Sequence, residues 1–362
     1  PPDASPAEVL TRAQLRQDLE YLYQNLQDAH YNLFINCPRE AYDKAYRDLL
    51  NALPESTDLL GAYRLFQPFV ARAGLGHCTL DFPFSRLYGA YIGSGGRVCP
   101  VNIRFEKDKA WICGVFVKDE DISVGDEVLA LNGRPTRHFQ EKVYAYLSGE
   151  SDYLKSTLMD QIAFPRMMWI LETTPERYQV VTRDAQGQKK LLELPAVPAG
   201  AFEEQMALEQ PVMQADRSLT FKGDVACMRP GQFMNAQGDG NTSKVETFDK
   251  GEFARFLEQS FAEIALRKAR ALVVDLRHNP GGSSTFSDEL VRFFADKPFR
   301  FCSRFRVRTS ALTKAFWRGM NEPSLRDLRE KILSHGDGEI FDVEIPFCEP
   351  VEASRRFTGK VV

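Results

Sequence analysis

A glycine pair that follows an apolar run is the strongest candidate for chemistry in this sequence. The run 271–276 is interrupted only by Asp275, which predicts a buried strand, and Asn279-Pro280-Gly281-Gly282 ends it. Residues without side chains let the backbone approach a ligand, and N–H groups at the start of the next helix can stabilise an oxyanion. The same pattern is typical of a tight turn with positive φ. We interpret Gly281 and Gly282 as candidate oxyanion donors, with the plain turn as the alternative.

Two further interpretations of this segment are weaker. The stretch Gly281-Gly282-Ser283-Ser284-Thr285 lacks the lysine that a nucleotide-binding phosphate loop requires. Ser283 and Ser284 are candidate nucleophiles beside the glycines. Their position at the start of a predicted helix is more typical of residues that cap it.

The second candidate is His77, in the segment Gly74-Leu75-Gly76-His77-Cys78-Thr79. A histidine between flexible glycines and a strand-like run is not on a helix face, and imidazoles titrate near neutrality, which suits a general base. A purely structural role for a single histidine is the alternative. A nucleophilic pair of Cys78 and His77 is also conceivable, but neighbouring side chains along a strand point to opposite faces.

The elements around these candidates follow from hydrophobic periodicity. Residues 8–72 predict three helices, the first of which begins with a capping box of Thr11 and Gln14. Residues 89–200 are rich in predicted strands, with a hairpin over 178–194, and residues 195–215 read as a linker. The last region predicts the order helix, buried strand, glycine turn, helix. This is an α/β unit, whose site is expected at the carboxyl end of the strand.

Length and composition bound the class of protein. The chain has 362 residues, enough for two or three domains, and its 43% hydrophobic and 27% charged residues are those of a globular protein. No apolar run reaches the roughly 18 residues of a membrane span. The net charge of −4 argues against nucleic acid, and the alternating Arg304, Arg306 and Arg308 are interpreted as the solvated face of a strand.

The cysteines argue against structural zinc. Seven of them are scattered singly, with no Cys-x-x-Cys pair. Because the number is odd, the prediction is buried free thiols with room for one disulfide.

Three segments together resemble the C-terminal processing peptidases, the tricorn core and the interphotoreceptor retinoid-binding protein repeats. Asp275-Leu276-Arg277 followed by Asn279-Pro280-Gly281-Gly282 resembles the core signature of this family. Gly76-His77-Cys78-Thr79 resembles its Gly-His-Thr segment, with Cys78 as a departure from the pattern. The stretch 125–133 resembles its PDZ-like module, which binds carboxylates. The three segments occur in the order of the family and span nearly the whole chain.

The resemblance implies an α/β multidomain fold. We expect a ClpP/crotonase-like α/β core that is incomplete at its C-terminus, preceded by a helical domain and a PDZ-like β-rich domain. The expected segments are an N-terminal helical domain (1–72), a segment with the candidate catalytic histidine (73–88), a PDZ-like domain (89–200), a linker (201–218) and the peptidase core (219–362).

The resemblance also implies a serine-type endopeptidase that cleaves peptide or unfolded protein substrates through an acyl-enzyme. His77 would be the general base, and Gly281 or Gly282 would donate to the oxyanion; we assign no lysine to a Ser-Lys dyad. The segment 357–362 is similar to the opening of a strand, and the nucleophilic serine is expected beyond Val362. No cofactor, metal, nucleic acid or membrane span is implied. A periplasmic or extracellular location is expected, and the oligomeric state is left open.

Two other functions remain open. One is a non-catalytic ligand- or peptide-binding protein on the same scaffold, as in the retinoid-binding repeats. The other is a scaffold whose PDZ-like module captures peptide C-termini by β-addition.

Overall fold

The computed structural model describes residues 9–119, 121–209, 217–234, 250–277, 279, 281–320 and 325–362. The α-helices are α1 (Arg12–Ala29), α2 (Arg39–Ala52), α3 (Leu59–Ala71), α4 (Ala90–Gly93), α5 (Thr136–Tyr146), α6 (Asp152–Ile162), α7 (Phe164–Leu171), α8 (Ala199–Glu209), α9 (Gly251–Leu266), α10 (Ser284–Val291), α11 (Ala311–Gly319) and α12 (Arg326–Ser334). The strands are β1 (Leu10–Thr11), β2 (Ser56–Thr57), β3 (Arg97–Val98), β4 (Val101–Glu106), β5 (Lys109–Val115), β6 (Glu127–Leu131), β7 (Arg134–Pro135), β8 (Arg177–Arg183), β9 (Lys189–Pro195), β10 (Val197–Pro198), β11 (Ser218–Lys222), β12 (Val225–Arg229), β13 (Ala271–Val274), β14 (Phe305–Arg308), β15 (Ile340–Val343) and β16 (Lys360–Val361).

The chain divides into two compact units. The first unit comprises Pro1–Met206, Arg308–Pro323 and Leu333–Glu339, and the second comprises Ala207–Val307, Ser324–Ile332 and Ile340–Val362. The mixed α/β multidomain class expected from the sequence is therefore present. The five predicted domain segments are a finer division, and their boundaries stay predictions.

The N-terminal helices form as the leucine spacing predicts. The side chain of Thr11 accepts a hydrogen bond from the Gln14 amide, and the Gln14 side chain accepts one from the Thr11 amide, which completes the capping box. Leu15 and Leu19 are fully buried in a core that α1, α2 and α3 share. On these helices Tyr23 also stacks on Tyr46, with ring centroids 4.0 Å apart.

The main sheet of the first unit is antiparallel, in the order β4-β5-β6-β8-β9, with β7 paired to β6. The predicted hairpin is confirmed, since β8 and β9 pair from Arg177 opposite Pro195 to Arg183 opposite Lys189. Helices α6 and α7 were not predicted. All eight residues of α7 except Arg166 are buried, so its sequence shows no 3.6-residue alternation from which a helix could be recognised.

Helix α8 enters the range that was predicted to be a linker, 201–218. Its first two turns are ordered because Phe202 and Met206 are buried in the core of the first unit. Residues 201–209 of the predicted linker are thus helical, residues 210–216 lie outside the described residues, and the linker boundaries stay a prediction.

The second unit contains a four-stranded sheet in the order β11-β12-β13-β16. β11 and β12 form an antiparallel hairpin, whereas β12, β13 and β16 run parallel. Leu272 of β13 is fully buried in one core with residues of α9 and α10, and Val274 packs against that core. Val273 lies outside it, because alternate side chains of a strand face opposite sides. The strand is thus fully buried on one face only, not on both as predicted.

The arginine pattern, the cysteines and the helix lengths of these units bear on three predictions made from the sequence. Arg304 and Arg306 both donate to the Asp342 carboxylate, as an arginine-bearing strand face would allow. All seven cysteines lie in the described part of the chain, and all are free thiols, so the one disulfide allowed for is not formed. Among the described residues, no helix is both long and apolar enough to cross a membrane.

Candidate active site

The glycine loop begins where β13 ends, and the side chain of Asn279 shapes it. The Asn279 side-chain amide donates to the carbonyl of Gly231 at 2.7 Å, and its side-chain oxygen accepts the Gly281 N–H at 2.7 Å. The Gly281 amide is therefore used within an Asx turn. It is not available to a ligand in this conformation.

The Gly282 amide has a different environment. Phe233 pairs with Gly282 as a parallel bridge, in which the Phe233 N–H donates to Gly281 O and the Ser283 N–H donates to Phe233 O. In this pattern the N–H of the bridged residue itself points away from the partner strand. No described residue accepts a hydrogen bond from the Gly282 amide. Of the two predicted oxyanion donors, Gly282 is the one whose N–H no described residue accepts.

The conformation of the loop requires glycine at both positions. Gly281 has a φ of +94° and Gly282 a φ of +134°, which side-chain-bearing residues rarely adopt. A Cβ on Gly282 would also lie 2.2 Å from the carbonyl oxygen of Phe233. The loop is therefore a tight turn with positive φ, as the alternative interpretation predicted. This conformation is compatible with a role of the Gly282 N–H as a hydrogen-bond donor.

Asp275 anchors the start of the loop through two arginines. The guanidinium of Arg277 donates two hydrogen bonds to the carboxylate, at 2.9 and 3.0 Å, and Arg229 donates one at 2.9 Å. These bonds, with those from Arg277 the stronger, hold the pKa of Asp275 well below its usual range. The carboxylate stays ionised and fixes the exit of β13.

Ser283 is a helix cap. It is the N-cap of α10, and its hydroxyl accepts a hydrogen bond from the Thr285 amide at 3.3 Å. Ser284 is the first residue of the helix, and its carbonyl accepts a hydrogen bond from the Ser287 hydroxyl. The capping interpretation made from the sequence is confirmed for Ser283, whereas Ser284 is the first residue of the helix and not its cap.

β16 runs parallel to β13 at the edge of the same sheet. Lys360 is opposite Ala271 and Val361 is opposite Leu272. The Val362 carbonyl accepts the Val274 amide, so the pairing extends to Val362. Because the strands are parallel, β16 points toward the edge at which the glycine loop leaves β13.

In the first unit, hydrogen bonds from three separate segments hold the turn that carries His77. The side chain of Asn36 donates to Gly74 O at 2.7 Å, and the Ser148 hydroxyl donates to Cys78 O at 2.5 Å. The buried Gln67 accepts the Leu80 amide at 2.9 Å. The backbone on both sides of His77 is thereby positioned, while the His77 side chain itself is exposed.

Glu150 is the acidic residue next to this turn. Its carboxylate accepts the Gly76 amide at 2.9 Å. That hydrogen bond, with a smaller contribution from the nearby His77, lowers the pKa of Glu150 below its ordinary value. Glu150 and His77 both line a groove of about 570 Å³ whose other titratable residues are Tyr21, His30 and Cys78.

Cys78 is unsuited to the role of nucleophile. Its side chain is buried, and burial raises the pKa of the thiol. Reactive cysteines have the opposite property, a lowered pKa at an accessible position. His77 is exposed while Cys78 faces the core, as expected for neighbours with opposite orientations. The Cys78–His77 pair is therefore disfavoured.

The family relationship rests on the segment that contains the glycine loop. Residues 244–323 match the family model of peptidase family S41. Over this segment the chain is similar to peptidase family S41. The resemblance of the chain to the tail-processing peptidases is thereby confirmed. A comparison with curated proteins finds no match.

Solved protease structures share the fold. Mature CPAF complexed with lactacystin is 15% identical, and the match covers 91% of this chain and 69% of that one with a TM-score of 0.56. A CPAF serine-to-alanine mutant is 14% identical, with 97% of this chain and 78% of that one covered and a TM-score of 0.61. At such low identity, the similarity establishes a common architecture.

The glycine loop and the histidine turn lie in different units. Gly281 and Gly282 belong to the second unit, and His77 belongs to the first. Within the described residues, no group of histidine, cysteine and acidic side chains is arranged to hold a metal ion.

Sequence reasoning missed the residues that hold the His77 turn, namely Gln67, Ser148 and Glu150. Gln67 lies on the mostly apolar helix α3, where a buried polar side chain is a recognisable anomaly. Ser148 and Glu150 are 70 and 74 positions along the chain from Cys78 and Gly76, the turn residues that they bind. No local pattern in a single sequence reports such a contact.

Proposed function

We propose that the protein is a serine-type endopeptidase acting on peptide or unfolded protein substrates. The observation that carries the proposal is the Gly282 amide. It lies in the S41 segment at the carboxyl end of β13, it points away from its bridge partner, and no described residue accepts its hydrogen bond. A donor fixed in this way matches what the oxyanion of a tetrahedral intermediate requires.

The proposed chemistry proceeds through an acyl-enzyme. A serine Oγ attacks the peptide carbonyl and transfers its proton to His77, while the Gly282 N–H donates to the oxyanion that forms. The C–N bond then breaks, and the imidazolium returns the proton to the leaving amine. Water, deprotonated by the same imidazole, hydrolyses the ester and regenerates the serine.

We place the nucleophile after Val362. The pairing of β16 with β13 supports this position, because residues that follow β16 would emerge at the same sheet edge as the Gly282 amide. The antiparallel sheet of the first unit, with its β8–β9 hairpin, would serve as the PDZ-like substrate-binding module. An exposed β-strand edge of this kind can bind an extended peptide.

The test uses a serine-directed phosphonate on the full-length natural protein. Intact mass is measured before and after labelling, and the labelled peptide is mapped by fragmentation. We expect one adduct on a serine beyond Val362, lost in a His77→Ala variant. Ser283→Ala is the matched control, since it removes a hydroxyl beside the glycine loop and should leave labelling unchanged.

Other outcomes separate the alternatives. Mapping of the adduct to Ser283 or Ser284 would overturn the position of the nucleophile. Absence of any adduct on folded protein would overturn the peptidase proposal in favour of a non-catalytic ligand- or peptide-binding protein on this scaffold.

A further inference from the structure

A largely apolar cavity of about 410 Å³ lies in the first unit, beside the turn that carries His77. Gly76 and Thr79, on either side of His77 and Cys78, line both this cavity and the groove that contains His77. The remaining walls are mostly aromatic or aliphatic, and include Phe82, Tyr88 and Trp169. Its volume falls within the range of about 300–1,000 Å³ that is typical of binding pockets.

Three polar side chains of the cavity, those of Gln67, Ser148 and Arg166, already have protein partners, whereas the buried Tyr88 hydroxyl has no hydrogen-bond partner among the described residues. Gln67 donates to Tyr146 O at 2.7 Å, and Ser148 donates to Cys78 O at 2.5 Å. Arg166 forms a two-point ion pair with Glu203, at 2.8 and 2.5 Å. A polar ligand would have to break these bonds, whereas an apolar one would leave them intact.

The phenols that line the cavity are uncharged. Burial raises the pKa of Tyr63 to about 12, and it also raises the pKa values of Tyr88 and Tyr146. With Arg166 paired to Glu203, no unpaired charge lies among the lining residues. An apolar group would therefore be accepted without having to displace an ion.

The aromatic wall is built from interlocking rings. Phe82 packs edge-on against Tyr63 at 4.8 Å and against Trp169 at 6.0 Å, and Tyr88 packs on Trp169 at 4.9 Å. Rings held from several sides have few alternative rotamers, so the cavity is preformed. A preformed pocket loses little conformational freedom when it is filled.

We propose that this cavity receives a large apolar side chain, aromatic or long aliphatic, of a peptide bound in the His77 groove. The proposal rests on the peptidase function proposed above and names a determinant of its specificity. The shared wall at Gly76 and Thr79 carries the proposal, because a peptide lying past His77 would contact residues that also line the cavity. A small side chain would leave the cavity largely empty. A charged side chain would bury an unpaired charge in it.

A free apolar molecule could fill the cavity in the same way as a peptide side chain. The experiment therefore distinguishes a peptide side chain from a free molecule as the occupant. The chain has three tryptophans. Trp111→Phe and Trp317→Phe leave Trp169 as the only indole of these 362 residues, so its fluorescence reports on the cavity. Three probes are titrated: a capped peptide with one central phenylalanine, the same peptide with aspartate there, and N-acetyl-phenylalanine amide as the free apolar molecule.

We expect the phenylalanine peptide to change the Trp169 signal at a concentration about tenfold or more below the other two probes. In Ile162→Phe, the added ring should occupy the cavity, since Ile162 lines it, and weaken peptide binding about tenfold. Leu158→Phe fills the cavity from another position on α6 and should act alike. Leu208→Phe, at an exposed position of α8, is the matched control and should bind as the parent does.

Three results would overturn the proposal: equal binding of the phenylalanine and aspartate peptides, stronger binding of the free amide than of the peptide, or unchanged binding in both filled variants. Because fluorescence needs no nucleophile, this test is independent of phosphonate labelling. Labelling without selective binding refutes the cavity alone, and selective binding without labelling refutes the peptidase alone.

Discussion

The carboxylate of Glu150 accepts the backbone N–H of Gly76 at 2.9 Å, across 74 positions of sequence. The contact fixes the residue directly before His77, and it places a negative charge in the groove that His77 lines. Glu150 is thereby a positioning residue for the histidine turn. Its contribution can be measured at the Gly76 amide itself.

Glu150→Gln should loosen the His77 turn. A neutral amide oxygen is a weaker acceptor than a carboxylate, so Gly76 amide exchange should become about five- to tenfold faster, equivalent to about 1–1.4 kcal/mol. Hydrogen exchange followed by NMR measures this. Glu141→Gln, which removes an exposed carboxylate paired with Arg137 on α5, is the control and should leave the Gly76 amide unchanged.

The pH dependence of this contact follows from the direction of the Glu150 shift. The lowered pKa means that the stabilisation is fully present above the ordinary glutamate value of about 4.3 and is lost as pH falls through the lowered one. Gly76 exchange, corrected for intrinsic rates, should therefore rise in this acidic window. A protection factor that stays constant there would contradict the assignment.

Gln67→Leu should destabilise the first unit. The side chain is 1% exposed, and it accepts from the Leu80 amide while donating to the Tyr146 carbonyl. Leucine leaves both backbone groups unsatisfied, at an expected cost of about 2–3 kcal/mol in unfolding free energy. Chemical denaturation gives the value. Gln24→Leu, at an exposed position of α1, should cost less than about 0.5 kcal/mol; similar costs for both variants would refute the bridging role.

Alanine should be tolerated differently at the two glycines. Gly281→Ala meets no atom within 4 Å, so only its φ of +94° is unfavourable, and we expect a loss of about 1–2 kcal/mol. Gly282→Ala brings a Cβ against the Phe233 backbone and should cost more, because neither backbone can yield cheaply. Denaturation midpoints of the two variants test the order. A reversed order would show that the Phe233–Gly282 bridge does not form in solution.

Asp275→Asn should reduce the acid sensitivity of the second unit. The pKa of Asp275 is lower in the folded protein than its unfolded value of about 3.9. The ionised carboxylate therefore stabilises the fold fully above that pH, and this stabilisation is lost progressively as the pH falls below it. The parent should therefore lose more stability between about pH 5 and pH 3 than the variant does. At neutral pH the variant should be less stable by only about 1 kcal/mol, because both arginines are exposed to solvent and their ion pairs are weakened by it. Arg277→Gln should show part of the same effect, because Arg229 remains. Parallel pH profiles for parent and variant would contradict the ion-pair assignment.

The elements that were predicted correctly are those with a local signal. The capping box of Thr11 and Gln14, the hairpin of β8 and β9, and the strand–glycine–helix order around Gly281 all depend on residues a few positions apart. Helix α7 was missed because it is apolar on all sides. Helix α8 was missed because a composition rich in Ala and Glu does not show that Phe202 and Met206 are buried.

The amino-acid sequence by itself indicated which residues could carry the chemistry: the glycines that can adopt positive φ, the histidine that follows Gly74 and Gly76, and the serine that caps α10. It did so because these properties belong to single residues and their neighbours. Only the tertiary structure decided that the Gly281 amide donates to the Asn279 side chain, whereas no described residue accepts the Gly282 amide. It also decided that Gln67, Ser148 and Glu150 hold the His77 turn. The direction of an N–H group and the pairing of residues 70 positions apart depend on how the whole chain packs, which local patterns do not record.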